Sequence, residues 1–306
     1  MEADRAEVSM NIMKDASEIV RYDAAGIPLY IQRDHLSSYP DRRALCHWHD
    51  DMEFIKVLKG KMIYYVNGRQ VLLKENDGIM VNSRQMHYGC SVGQADCVFI
   101  CILIHPSMLS ASRALFQKYV SPVLEDRDTE FIYLDSTRSD HAEILYNLEE
   151  IYERKTETAL GYELEIMGLL YAIWKAVFCL MKTQPHSEAA AEHADVKLQR
   201  DMVSYIYQHF SERLSLADIA ASGGVCRSKC CLIFKKYLSQ SPTHFLNSYR
   251  LEVSSHLLKN TDKSITEIAM ECGFNHLSYY SEIFLKYYGC TPRNFRKMLT
   301  ARPGEG

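Results

Sequence analysis

"SITEIAMECGF", Ser264 to Phe274, has a partner earlier in the chain, "SLADIAASGGV", Ser215 to Val225. Ser215 aligns with Ser264, Ile219 with Ile268, Ala220 with Ala269 and Gly224 with Gly273, all at an offset of 49. After one inserted residue the offset is 50, pairing Phe234 with Phe284, Tyr237 with Tyr287, Pro242 with Pro292 and Phe245 with Phe295. Agreement on both sides of an insertion marks an internal repeat. Each copy has helix-turn-helix chemistry. Ser215 with Asp218, and Ser264 with Glu267, make capping-box starts. The Ile-Ala pairs give a short apolar face, and Gly224 and Gly273 stand where the turn needs a permissive backbone. The helix expected over Pro242 to Asn260 joins the copies and sets the spacing of their second helices. Two such helices about 34 Å apart reach successive major grooves on one face of a duplex.

On these residues, 196–298 resemble the DNA-binding domain of AraC/XylS-type transcriptional regulators, and "SITEIAMECGFNHLSYYSEIFLKYYGCTPRNFRK" matches the family's second half closely. The resemblance implies that the second helix of each copy meets DNA. In the first copy Arg227, Ser228, Lys229, Cys231 and Leu232 occupy or flank the groove-facing turn; in the second, His276, Leu277, Ser278, Ser281 and Glu282 do. Lys235, Lys236, Lys286 and Arg296 are expected at phosphates. The chain departs from the family at Cys226, in place of a serine cap, at Cys231-Leu232, in place of polar readers, and at Glu282, in place of a frequent arginine. Cys226, Cys230 and Cys231 also invite a zinc or redox reading, but no second ligand pair lies nearby in sequence. Charge supports the polyanion partner: residues 196–306 hold 15 Lys+Arg against 9 Asp+Glu, while residues 1–195 hold 20 against 30.

N-terminal to the repeat, "TQPHSEAAAEHAD" (Thr183 to Asp195) is small and polar and reads as a linker, assigned to 184–195. Before it the period is helical. Leu164, Met167, Tyr171, Trp174, Phe178 and Met181 form a stripe, preceded by a helix with Ile144, Leu148 and Ile151. These helices, over 139–183, either cover the preceding domain or make a homodimer contact. "LEIMGLLYAIWKAVFCLM" is apolar enough to raise a membrane span, but Glu165, Lys175 and the amphipathic spacing argue for a soluble helix. From about Pro28 to Ile104 the pattern is of short strands, with Asn67-Gly68 and Asp77-Gly78 as turns and "CVFICILI" as a buried strand. A small antiparallel barrel or sandwich is expected over 1–138.

Within it, "CHWHDDMEF" (Cys46 to Phe54) puts His47 and His49 on one face of a strand with Glu53 four residues on, a donor set suited to a divalent metal. "HWHDDMEFIKVLKG" with "GIMVNSRQMHYG" resembles the cupin-like effector domain that often precedes such DNA-binding domains, Gly60 and His87 included. The resemblance implies a ligand receptor. His47, His49, Glu53 and His87 are then the candidate metal set, with no cofactor required. Arg33, Trp48, Tyr64 and Tyr88 join these four as candidate effector contacts. A cupin-type metalloenzyme, such as a dioxygenase or sugar isomerase, is the competing reading, and hydrogen-bonded core histidines are the third.

The fold expectation is therefore α+β and multidomain. A cupin-like antiparallel barrel with a helical packing or dimerisation segment precedes an all-α double helix-turn-helix over 196–300. At 306 residues, with 47% hydrophobic and 24% charged residues, the chain has room for both. Its ten scattered cysteines, without a leader-like N-terminus, point to a reducing, cytoplasmic setting. The expected partners are promoter DNA, a small-molecule effector such as a sugar or related metabolite, RNA polymerase and a second copy of the chain, with no membrane. A regulator, not an enzyme, is the expectation.

Overall fold

Alternating residues in the long strand β2 (Met52–Val66) face two different cores, and this strand organises the N-terminal unit. The computed structural model describes residues 12–13, 15–24, 26–93, 95–126, 129–183 and 190–300, with only the backbone for 183, 190–194 and 299–300. The chain divides into two compact units, Ser17–His193 and Ala194–Gly306 with short N-terminal pieces.

In the first unit β2 pairs with β6 (Cys97–Ile104) and β4 (Gly78–Val81) through its first half. Its second half, Lys61–Val66, pairs with β3 (Arg69–Lys74) and β5 (His87–Ser91). Between the halves the register shifts at Val57/Lys59, and Gly60 takes φ +84° with its Cα hydrogen against Asp96 O, where a Cβ would lie 2.7 Å from that oxygen. A bulge followed by glycine bends the strand out of one sheet and into a second. β1 (Leu29–His35) lies beside β6, and β7 (Phe131–Leu134) beside β4, giving the order β1-β6-β2-β4-β7. The closed barrel expected from the sequence is thus corrected. The sheet is open, and the two sheets share β2 and close by side-chain packing between their inner faces, with Ile55, Val57, Met62, Tyr64, Val66 and Phe99 in that layer. Asn67 and Gly68, both at positive φ, make the expected two-residue hairpin.

On the other face of the main sheet lie α3 (Ser139–Glu157) and α4 (Tyr162–Thr183), preceded by the short helical turns α1 (Arg113–Leu115) and α2 (Ser121–Leu124). Met52, Phe54, Ile100 and Ile102 meet Ile144, Leu148, Ile166, Leu170 and Val177 in one core. Lys56, almost wholly buried on that face of β2, donates to Leu145 O at 2.9 Å and pairs with Glu149 at 3.0 Å, fastening α3 to the strand. α4 is long and apolar enough to cross a membrane by length and composition, yet its Ile166, Leu170, Ile173, Val177 and Leu180 face is packed in this core. The stripe read from sequence is offset from that face: Trp174 is buried, while Leu164 and Tyr171 are exposed.

The second unit is helical. α5 (Ala190–His209) begins inside the stretch expected as a linker, because "AAAEHAD" is a strong helix former; residues 184–189 lie outside the described residues. The repeat gives α6 (Leu216–Ser222) with α7 (Arg227–Leu238), and α9 (Ile265–Glu271) with α10 (Leu277–Tyr288), joined by α8 (Pro242–Asn260) and closed by α11 (Pro292–Thr300). Both capping boxes form, Ser215 with Asp218 and Ser264 with Glu267. Arg250 of α8 is buried and donates at 2.7 Å to both Phe210 O and Glu212 O, beyond the end of α5. Gly273 packs onto Phe210 O as well, where a Cβ would lie 2.6 Å from that oxygen and 2.9 Å from Ser211 O.

Gly60→Ala is expected to destabilise the first unit by about 3 kcal/mol or more, from left-handed backbone and steric overlap together. Gly161→Ala, at φ +85° with no neighbour within 4 Å, should cost only about 1–2 kcal/mol. Denaturant unfolding of the two variants compares the terms, and equal losses would contradict the bend.

Candidate sensor site and nucleic-acid interface

The bend in β2 brings side chains of both sheets to one point. Glu53 lies on the first half, and Tyr64 on the second donates to its Oε1 at 2.7 Å. His87, at the start of β5, places its ring 4.3 Å from that of His47 and 4.8 Å from that of His49. The backbones of His47 and His87 bond to each other in both directions, at 3.2 and 2.9 Å. One ligand atom from each of His47, His49, Glu53 and His87 lies within 4.8 Å of the others, and all four residues are buried.

Backbone carbonyls orient each imidazole. His47 Nδ1 lies 2.8 Å from Leu45 O, His49 Nδ1 3.0 Å from Asp51 O, and His87 Nδ1 2.8 Å from Gln85 O. With Nδ1–H donating to a carbonyl, each Nε2 presents a lone pair, the arrangement typical of metal-ligating histidines. His87 Nε2 then lies 2.6 Å, and His49 Nε2 3.4 Å, from Glu53 Oε2. These three buried atoms have no hydrogen-bond partner of complementary kind. Acceptors this close are held together only by a shared cation, a proton or a metal ion, so the donor set fits a divalent metal. Burial, with His87 and His49 adding, holds the His47 imidazole well below its usual pKa and therefore neutral. Burial pushes the Glu53 carboxyl up, but His87 and His49 outweigh it and hold it well below the usual range. Burial lowers His49, while the Glu53 carboxylate 3.4 Å from its Nε2 prevails and raises it.

A further carboxylate stands in front. Glu18 Oε2 lies 3.3 Å from His47 Nε2, and burial, joined by Glu53 and Asp51, pushes its pKa up to about 7. Sequence spacing missed Glu18 because it lies outside the strand pattern. Cys101 Sγ, 3.8 Å from Glu53 Oε1, was likewise missed. Other expected contacts are not brought together. Strand alternation sends Arg33 to the face of Leu29 and Ile31, where it is exposed. Trp48, half-buried, falls between the two histidines in the alternation. Tyr88 turns away from His87 to stack on Tyr65 at 4.6 Å, with the Arg43 guanidinium 4.1 Å over its ring. Of the candidate effector contacts, the structure gathers His47, His49, Glu53, Tyr64 and His87.

All ten cysteines are free thiols. Cys230 is fully buried, which raises its thiol to about 11, while Cys226 is exposed, so the cysteine triplet faces different environments. In α7, Arg227, Ser228, Leu232, Lys235 and Lys236 are exposed, and Cys231 is half-buried. Lys229 is tied to Asp195 at 2.9 Å. At α10, His276, Leu277, Ser278, Glu282 and Lys286 are exposed and Ser281 is half-buried. Arg296, half-buried, turns its Nε to Leu258 O at 3.4 Å, so the phosphate role expected of it is the least supported. Tyr279, exposed on the first turn of α10 and accepting from Asn247 at 2.9 Å, was not singled out from sequence.

Residues 34–173 match the family model of the AraC-like ligand binding domain, and residues 219–298 match that of a helix-turn-helix domain. Over 289 residues the chain is 26% identical to the uncharacterized HTH-type transcriptional regulator YdeC of Bacillus subtilis (strain 168), covering 94% of this chain and 98% of that protein. It is 24% identical over 272 residues to the HTH-type transcriptional activator RhaR of Mannheimia succiniciproducens, covering 88% and 91%. The crystal structure of a transcriptional regulator with an AraC-type DNA-binding domain from Chromobacterium violaceum shares 33% identity over 35% of this chain and 96% of its own, at a TM-score of 0.33. The chain belongs to the AraC-type transcriptional regulators, with an AraC-like ligand-binding unit followed by a helix-turn-helix DNA-binding unit.

Proposed function

We propose that this regulator senses its effector through a divalent metal ion held by His47, His49, Glu53 and His87. The observation that carries the reading is the convergence of three carbonyl-oriented imidazoles and one carboxylate in a buried site. An N3O set without sulfur suits zinc, iron or nickel. Such an ion supplies a Lewis-acidic position for an oxygen or nitrogen donor of the effector. The chain's own residues fix the imidazole tautomers, keep His47 neutral and bury the charge. The match to an AraC-like ligand binding domain, and relatives that are transcriptional regulators, support a receptor and not an enzyme.

The same reading assigns Arg227, Ser228, Cys231, Leu232, His276, Leu277, Ser278, Ser281 and Glu282 to base edges. Lys229, Lys235, Lys236, Lys286 and Arg296 are assigned to phosphates. Exposed Leu160, Leu164 and Tyr171 beside the α3–α4 core support a homodimer face. Action on RNA polymerase in the cytoplasm completes the proposal. Effector and DNA affinities are then reciprocally coupled.

Purified full-length protein should carry one metal per chain. At 100 times its dissociation constant, added Zn2+ should stabilise the first unit by about 2.7 kcal/mol and change affinity for a duplex selected from a random pool. His49→Ala should abolish both effects, and unchanged stability and DNA affinity with Zn2+ in the parent would contradict the proposal. Arg227→Ala should lose about 1–3 kcal/mol on the selected duplex and far less on random DNA. Lys235→Ala should weaken both alike. Equal losses for Arg227→Ala would remove it from the base readers.

A further inference from the structure

The segment before β1 runs past the imidazole cluster, held by several contacts. Ser17 forms a parallel bridge with Trp48, and Glu18 N donates to Trp48 O at 2.8 Å. Tyr22 OH donates to Asp51 Oδ1 at 2.9 Å, and Asp23 accepts from Ile31 N at 2.8 Å and pairs with Lys155 at 2.6 Å. Between these anchors the Glu18 carboxylate reaches His47 Nε2 at 3.3 Å, although the His47 Nδ1–H is already engaged by Leu45 O. A carboxylate facing the lone pair of an imidazole is unfavourable unless a proton or a metal ion lies between them.

Ligation through three imidazole nitrogens and the Glu53 carboxylate would leave a dication with a net positive charge in a site where every ligand is buried. An uncompensated buried charge is costly. A second carboxylate beside the site can cancel it, and Glu18 stands 3.3 Å from His47 Nε2.

We propose that Glu18 is an intramolecular ligand that completes the metal centre and holds the place of a monoanionic oxygen donor. The inference rests on the metal-holding reading of the cluster. An incoming carboxylate or hydroxy acid exchanges with Glu18 without changing the net charge of the site, whereas a neutral ligand would leave it positive. The effector is therefore a small organic acid or another anionic oxygen ligand, and its binding frees the Glu18 carboxylate and loosens the segment between Ser17 and Asp23.

The test loads full-length parent, Glu18→Gln and Glu18→Asp with Co2+ and follows cobalt content, the visible d–d spectrum and a titration with azide. The parent should bind one Co2+ per chain and resist azide. Glu18→Gln should keep the ion with affinity reduced by about tenfold, show an altered d–d spectrum, and take up azide at least tenfold more readily. Glu18→Asp, whose shorter side chain retains the charge, should fall between them. Identical spectra, Co2+ affinities and azide responses in parent and Glu18→Gln would overturn the role of Glu18 while leaving the metal site standing. A parent that binds no Co2+ would overturn the metal reading and this inference with it.

Discussion

The bend of β2 at Gly60 is the constraint on which the sensor unit depends. One strand supplies Glu53 to one sheet and Tyr64 to the other, and only the fold-over at a positive-φ glycine lets their side chains meet at 2.7 Å. The same bend carries β5, and with it His87, to the segment before β2 that holds His47. The two sheets thus need no closing ladder. Their contact is made by side chains, and its polar end is the imidazole cluster. The opposite face of β2 fastens α3 through the buried Lys56, so the strand that bears the site also bears the helical layer.

The DNA-binding unit depends on a comparable economy. Two copies of one motif are locked to a shared helix, and Arg250 of that helix satisfies two carbonyls beyond the end of α5. Gly273 allows the second turn to approach Phe210 O and Ser211 O, where any side chain would collide. Charged and hydroxyl groups on the first turns of α7 and α10 remain exposed around the buried Phe234 and Phe284. An exposed leucine in each helix, Leu232 and Leu277, gives these surfaces an apolar element.

Much of this was legible in the sequence because it is local. Capping boxes, the Asn67-Gly68 hairpin and the repeat with its one-residue insertion are set by short-range chemistry, whereas His47 and His49, expected on a strand, lie in the segment before β2 with only isolated bridges at His47 and Trp48. Long-range features were not legible. Whether short strands close into a barrel depends on which edges pair, and here one bent strand replaced closure. Arg33 and Tyr88 were misplaced because the face each presents is fixed by its strand's partners. Tyr88 is held by Tyr65 and Arg43, not by the site. Glu18 comes from a segment with no period at all. The linker was misread because "AAAEHAD" looks like a spacer by composition yet favours helix by propensity.

The most direct test of the account is X-ray absorption at the zinc edge of the Zn2+-loaded, full-length protein. The account predicts a first shell of imidazole nitrogens and carboxylate oxygen at about 2.0–2.2 Å, with the multiple-scattering pattern of three histidines and no sulfur. A shell containing sulfur at about 2.3 Å, or one of oxygens without histidine scattering, would contradict it.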